Sequence, residues 1–462
     1  MRGYLKLKDL DCSFYFDDAD YILKLVVPES KINTRLFYDL THSDLFDGVI
    51  FVEGKTLDNE GVRFYFDWIN TRNLEIDLRV TYFIKFDQVN KVNFGHNVKD
   101  YPQGIIFSGD IIDALYSPKN ALKVEMKETK SNRDGYVTDI KHEITDLEYS
   151  DFEKKGKFNF QNHECTFKFT VHKGFSSEDV NYFQSYKSIL DIDFNDKLFF
   201  EFDTLIDFYS RLQRLYRFIF RISDFKFDVA KFRLFFSKAG FLHYGQISHR
   251  KPNNQGIINH RITFKKVFPV FSNLLSLFMN ENIYLNHLSN NSSGYNFNDI
   301  PFLFSCFDNE FPKCYPEVDK RIDETYIKDR DKILVILEEN SCNLQNTDKS
   351  VLNSLKQFLK NNELSFGKKL EYVLGESTYL HDLLGDDKKV NDFTKRIREF
   401  RNSLIHGRKF KYDKPIDFKE LIIFEKMNYY LVVKRAGLIE AEIKDFISSI
   451  FFAFENNLMK KD

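Results

Sequence analysis

Up to about residue 200, apolar and polar positions alternate. Ser13 to Phe16 (SFYF), Val62 to Ile69, Leu74 to Phe86 and Cys165 to Val171 all step with a period of two. Aromatic and β-branched residues at that period predict strands. The turn signals between them, Glu53-Gly54, Asn59-Glu60-Gly61 and Arg133-Asp134-Gly135, predict an antiparallel sandwich or barrel-like domain over residues 1–195. From Leu205 the period changes: Leu205, Phe208, Leu212, Leu215 and Ile219 recur every three or four residues, which predicts a helix capped by Asp203 or Thr204. Arg211, Arg214, Arg217 and Arg221 follow the same helix as a basic stripe, expected to be a solvated or salt-bridged face. Residues 196–290 thus form a mixed region that continues the N-terminal part.

The polar cluster Ser289 to Asp299 (SNNSSGYNFND) reads as a linker and marks the main boundary. Beyond it, over 296–462, the pattern is helical throughout: Lys320 to Glu339, Val351 to Leu359, and Phe366 to Leu374 with Ser365 as N-cap. Two more helices, Asp417 to Ala436 and Glu440 to Leu458, are split by Gly437 at a C-cap position. The expected fold class is α+β multidomain: a β-rich N-terminal domain, a mixed middle region and a C-terminal all-α bundle.

Composition narrows the function classes. With 43% hydrophobic and 29% charged residues, the 462-residue chain can offset its ordering entropy. Apolar runs such as Ile333 to Leu337 are about five residues long, against the ~20 of a membrane span. The charged start, MRGYLKLKDLDCSF, lacks a secretory apolar stretch, so the expected compartment is cytoplasmic. Five scattered cysteines without C-x-x-C offer neither a disulfide frame nor a zinc ribbon. His243, His249 and His260, and the set His163, Cys165 and His172, lack ligand spacing as well, and no phosphate-binding glycine loop occurs. No metal and no cofactor is therefore expected. A net charge of −2 means that any nucleic-acid contact must come from a local patch. The 51 Phe are read as core-filling residues, not as stacking platforms.

One such patch is Asn391 to Lys411 (NDFTKRIREFRNSLIHGRKFK). With Asp392 as cap, Phe393, Ile397, Phe400 and Leu404 lie within about 60° of one another on a helix that Gly407 stops. Lys395, Arg398, Asn402 and His406 fall on the opposite side, and Arg401 lies between the two faces. Seven cations (Lys395, Arg396, Arg398, Arg401, Arg408, Lys409 and Lys411) face one anion, Glu399, a formal +6. Arg401 could hold a scissile phosphate, and a histidine with a pKa near ~6.5 could move a proton at a ribose 2′-OH. Arg401 and His406 are about 140° apart on the helix, so a two-fold dimer would be needed to gather both types of group in one cleft.

The hexamer Arg401 to His406, R-N-x-x-x-H late in a helical region, resembles the R-x4-H motif of the HEPN superfamily of ribonucleases. The ending Leu431 to Phe446 (LVVKRAGLIEAEIKDF) is similar to the L-G-L-x-x-x-E tail of ApeA-type anti-phage proteins, and Pro301 to Phe311 (PFLFSCFDNEF) to their first HEPN helix, with Glu310 as its acidic residue. Against that pattern, Cys306 and Phe307 are bulky, Pro312 is expected to end the helix early, and Ile405 replaces a polar residue. The resemblance implies a HEPN bundle, a homodimer and metal-independent endoribonuclease action. It assigns Arg401, His406, Asn402 and Glu310 to catalysis, with Lys395, Arg398, Arg408 and Lys409 binding RNA. It also implies abortive infection, with a phage-derived trigger sensed by the N-terminal domain. The alternative is a non-catalytic HEPN-like module that binds RNA or protein through the same basic face.

Overall fold

The computed structural model describes residues 1–7, 10–27, 51–72, 75–86, 102–131, 137–147, 152–178, 181–194, 202–222, 227–235, 242–249, 264–283, 285, 299–319, 324–339, 350–356, 364–406 and 416–458. The chain is a mixed α/β protein with a β-barrel near its start and helices in its C-terminal part. It divides into two compact units, Met1–Asn280 and Glu281–Asp462.

In the first unit, strands β1 (Arg2–Leu7), β2 (Leu10–Asp17), β3 (Ile22–Val26), β4 (Phe51–Thr56), β5 (Gly61–Arg72) and β6 (Glu75–Phe86) pair in the order β6-β3-β2-β1-β4-β5. The β5–β6 hairpin then closes the ring, leaving no open edge among these six strands. Period two is the cause: Leu5, Phe14, Phe16, Leu23, Leu25, Phe64 and Leu78 point inward as one apolar core. Ring contacts of Phe16 with Phe64 and Phe83 fill its centre.

Strand β6 changes partner along its length within one continuous sheet. Its first half pairs with β3 from Glu75 to Arg79, and its second half with β14 (Leu242–His249) from Tyr82 to Phe86. A bulge in β5 between Tyr65 and Trp68 lies opposite this change of partner, where an extra residue lets the strand bend. The sheet continues through β14, β13 (Val229–Phe235), β7 (Pro102–Ser108), β12 (Asn181–Asp193), β11 (His163–Glu178) and β10 (Lys154–Phe160). Helix α1 (Asp110–Leu115) follows β7, and β8 (Leu122–Ser131) pairs with β9 (Val137–Asp146) as a separate ribbon.

Helices α2 (Phe202–Phe220) and α3 (Phe264–Asn280) cover this sheet. Phe208 packs on Phe158, Phe160 and Phe194, and Phe271 on Phe167 and Phe169. The expected cap at Asp203 is not one. The helix already starts at Phe202, and the Asp203 carboxylate accepts from Tyr65 Oη at 2.7 Å and Arg63 at 3.3 Å. Strand β10 ends the sheet, and α3 closes that edge. Ser276 Oγ accepts from the Asn159 amide (3.0 Å), and Asn280 Oδ1 from the Gln161 amide (2.9 Å).

The second unit is helical in its described residues. It comprises α4 (Ile300–Cys314), a short turn of helix Pro316–Asp319, α5 (Glu324–Glu339), a helical stretch at 350–356, and α6 (Phe366–Glu376). Helices α7 (Thr378–Leu384), α8 (Asp387–His406), α9 (Phe418–Arg435) and α10 (Glu440–Leu458) follow. Ser365 accepts from the Lys368 amide as N-cap, and Gly437, at φ +81°, separates α9 from α10. Helix α9 is central, with nearly every residue from Leu421 to Val433 buried. Two expectations on helix ends change. Asp392 lies inside α8, which begins at Asp387, and Pro312 does not end α4, which runs on to Cys314. A proline in the last turn forfeits only one backbone bond, and packing of Phe311 in the core holds that turn. The greater part of the polar cluster, 289–298, lies outside the described residues.

Among the described residues, no helix is long and apolar enough to cross a membrane, and no group of three His, Cys, Asp or Glu could hold a metal ion.

Candidate functional site

The candidate site lies where α4, α6 and α8 meet. Their contact is aromatic: Phe304 and Phe307 of α4 touch Phe366 of α6 and Phe424 of α9, and Phe400 of α8 touches Phe304. Along α8, Phe393 and Ile397 are buried, while Phe400 and Leu404 are half-buried. The apolar stripe therefore fades toward the end that carries Arg401 and Asn402.

Arg401 sits at the rim of this aromatic cluster. Its Nη2 donates to Asp308 Oδ2 at 2.7 Å, and its guanidinium carbon lies 4.7 Å from the centre of the Phe366 ring. Side-chain exposure is 23% for Arg401 and 33% for Asp308, so both groups are shielded on one side and reachable on the other. The Nε is buried and makes no hydrogen bond to a described residue. A planar cation fixed by one carboxylate and one ring keeps a donor edge for an incoming anion.

The acid that meets Arg401 is thus Asp308, which the sequence reading passed over. Asp308 and Glu310 are two residues apart, or about 200° around α4, and point to different surroundings. Glu310 is fully buried, bonded to Arg435 of α9 and, at 2.9 Å, to Lys313. Arg435 also pairs with Glu281. Burial pulls its guanidinium below the ordinary arginine value, and the two flanking carboxylates favour its charged form. Glu310 therefore ties α4 to α9 and does not stand beside Arg401. The missed signal was helical phase: 308, not 310, shares the face of Phe304 and Phe311 that turns toward α6 and α8.

The other predicted residues are distributed unevenly. Asn402, next to Arg401, is half-buried. Lys395 and Arg398 are exposed; the Arg398 stem lies over Gly367, and its Nη2 is 3.7 Å from Glu399. Arg396 is drawn away from the patch, donating to both Glu420 oxygens at 2.8 and 3.0 Å. Glu420 also accepts from the Asp417 amide in the capping box of α9. The backbone of α8 reaches His406, whose side chain lies outside the described residues, as do Arg408 and Lys409.

Other candidates fare differently. His163 and His172 are exposed, and burial pushes the Cys165 thiol up to about 12. His260 and the side chains of His243 and His249 lie outside the described residues. On α2 the arginine stripe is no free basic face. Arg211 pairs with Asp207 at 2.7 Å, Arg221 is buried, and burial together with Arg211 lowers the Arg214 guanidinium from its usual value.

Compared with known protein families, curated proteins and solved structures, the chain matches none.

Proposed function

We propose that the helical unit is a metal-independent endoribonuclease of the HEPN kind, and that the whole chain acts in anti-phage defence by cutting RNA on infection. The observation that carries this reading is Arg401, a partly exposed guanidinium fixed between Asp308 and Phe366, with Asn402 beside it and His406 one turn beyond Asn402 on the same helix. In this reading Arg401 binds the scissile phosphate and offsets the charge that builds up as the 2′-oxygen attacks. His406 takes the 2′-OH proton or protonates the leaving 5′-oxygen, leaving a 2′,3′-cyclic phosphate and a 5′-hydroxyl. Asn402 adds a hydrogen bond to the phosphate, while Lys395, Arg398, Arg408 and Lys409 hold the flanking strand. Asp308 is a positioning residue: it fixes the fork so that less ordering remains to be done when substrate arrives.

Because positions 401 and 406 stand about 140° apart around one helix, the working site is assigned to a homodimer in which two copies of α8 face each other. Incubating purified full-length protein with RNA in excess EDTA tests the reading. Cleavage with cyclic-phosphate ends, lost in His406→Ala, is the expected result; turnover restored only by Mg²⁺ overturns it.

A second reading is favoured by one observation: Arg396 and Arg401 are both already engaged by carboxylates, Glu420 and Asp308. With its phosphate-binding arginine already neutralised, the unit would suit a non-catalytic module that docks RNA or an acidic protein through the exposed cations Lys395 and Arg398. Binding without cleavage by the wild-type dimer would select it.

A further inference from the structure

The barrel carries a surface that the helical unit does not explain. On its outer face, β1 to β4 align Tyr4 between Ser13 and Lys55, Arg2 beside Tyr15, and Tyr15 beside Lys24. Tyr4 is 65% exposed and Tyr15 42%, although tyrosine on a barrel strand ordinarily gains by burial. They are diagonal neighbours on adjacent strands, close enough to present two ring faces side by side. The Arg2 guanidinium lies 5.6 Å over the Tyr15 ring, so this ring already takes a flat cation against its face, a place that a base could share or take over.

Charge separates this face from the rest of the barrel. On β5 and β6, Arg63, Arg79 and Lys85 are each paired with a carboxylate: Glu53 and Asp203, Asp67, and Glu60. On β1 to β4, Arg2, Lys6, Lys24 and Lys55 are exposed and form no ion pair with a described residue. Carboxylates do share this face, Asp11 directly opposite Lys6, Asp77 directly opposite Lys24, and Asp17 two residues after Tyr15, and the four cations form no ion pair with any of them. Four cations without an ion pair to a described residue, around two exposed rings, suit a polyanion whose units carry flat faces. A folded acidic protein would match the charge too, but two neighbouring rings on a strand surface best suit successive bases that each present a flat face.

We propose that this face binds single-stranded RNA, with bases stacked on Tyr4 and Tyr15 and phosphates held by Arg2, Lys6, Lys24 and Lys55. The face itself calls for a single-stranded nucleic acid; the choice of RNA over DNA rests on the reading of the helical unit as a ribonuclease.

The test uses the full chain and a fluorescent 12-residue oligouridine carrying 2′-O-methyl groups, which has no free 2′-OH and cannot be cut by the proposed chemistry. Its binding is therefore independent of whether the helical unit cleaves. Fluorescence anisotropy should report a Kd that rises at least tenfold in Tyr4→Ala/Tyr15→Ala, with an unchanged melting temperature. Tyr4→Phe/Tyr15→Phe, which keeps the rings, should stay within about twofold of wild type. With three to four phosphates neutralised, log K should fall against log salt with a slope of about −2 to −3. Lys24→Gln/Lys55→Gln should make that slope shallower by about 1.4. The proposal is overturned if the alanine pair binds as wild type does, if the phenylalanine pair fails equally, or if the chain binds no oligouridine. A deoxy-12-mer bound in place of the oligouridine would overturn the assignment to RNA.

Discussion

Arg401 and Arg435 occupy the same helical unit and both pair with α4, yet their surroundings differ in kind. Arg435 is 6% exposed and held by two carboxylates, Glu310 and Glu281, in a closed ion cluster. Arg401 has one carboxylate, Asp308, one aromatic face and 23% exposure. A guanidinium with every partner supplied by the protein has nothing left to bind, so Arg435 fastens helices. A guanidinium held at its rear and open at its front can meet a phosphate. The pair teaches that a charged residue near a motif earns a functional reading from what it leaves unsatisfied, not from its place in the motif.

The largest effect should come from the open side. In the proposed ribonuclease, His406→Ala should lower cleavage by about 10²- to 10⁴-fold, the usual contribution of a positioned proton-transfer group. Arg401→Lys should lose activity too, because an ammonium cannot present two parallel donors. Both variants should melt within a few degrees of wild type by differential scanning fluorimetry. Full activity in either would remove that side chain from the mechanism.

On the closed side the effect should be on stability. Arg435→Met leaves Glu310 buried without its main partner and should cost about 3–5 kcal/mol, read by urea unfolding. Adding Glu310→Met should recover much of the loss, since an apolar pair of similar volume often replaces a buried ion pair at little cost. Failure to recover would mean that the cluster sets the geometry of α4 and α9, beyond balancing charge.

Between these extremes lies Asp308. Asp308→Asn keeps the shape and removes the charge that fixes Arg401. A fall in kcat of about tenfold with little change in KM is the expected outcome, about 1.4 kcal/mol of barrier. An equal rise in KM instead would mean that Asp308 shapes substrate binding, and its role as a positioning residue would be given up.

How far these features could be read beforehand depended on their range. Period-two runs such as Leu74 to Phe86 announce a strand, because alternation is local. That β6 leaves the barrel halfway is set by a bulge across from it, at Tyr65 to Trp68, which no pattern within β6 records. The cap at Ser365 was legible because one hydroxyl and one nearby amide make it. Asp203 looked equally like a cap, but Tyr65 and Arg63, about 140 residues away, claim its carboxylate. The pattern predicts α9 as a helix over Asp417 to Ala436 and is silent on where its polar residues Glu425, Lys426 and Asn428 lie. All three are buried, and Asn428 donates to the Leu303 carbonyl at 3.1 Å. In the candidate site, the place of Arg401 on a helix beside an apolar stripe was legible from the pattern. Its partner was not, since choosing Asp308 over Glu310 needs the rotation of α4 against α8.

The smallest expected effect sharpens the comparison at neighbouring positions. Lys395 and Arg396 are adjacent on α8 and carry the same formal charge. Lys395 is exposed, while Arg396 grips both oxygens of Glu420 with 18% exposure. Only a cation that is not already neutralised can release counterions from an RNA strand. Lys395→Gln should therefore leave unfolding within about 0.5 kcal/mol of wild type and make the salt dependence of kcat/KM shallower by about 0.7 in slope. Arg396→Gln should do the reverse. Losing a charge-assisted bidentate pair should cost about 1–3 kcal/mol of stability while the salt slope stays put. If both variants flatten the slope equally, Glu420 yields Arg396 to the substrate, and the division between committed and open cations fails at this helix.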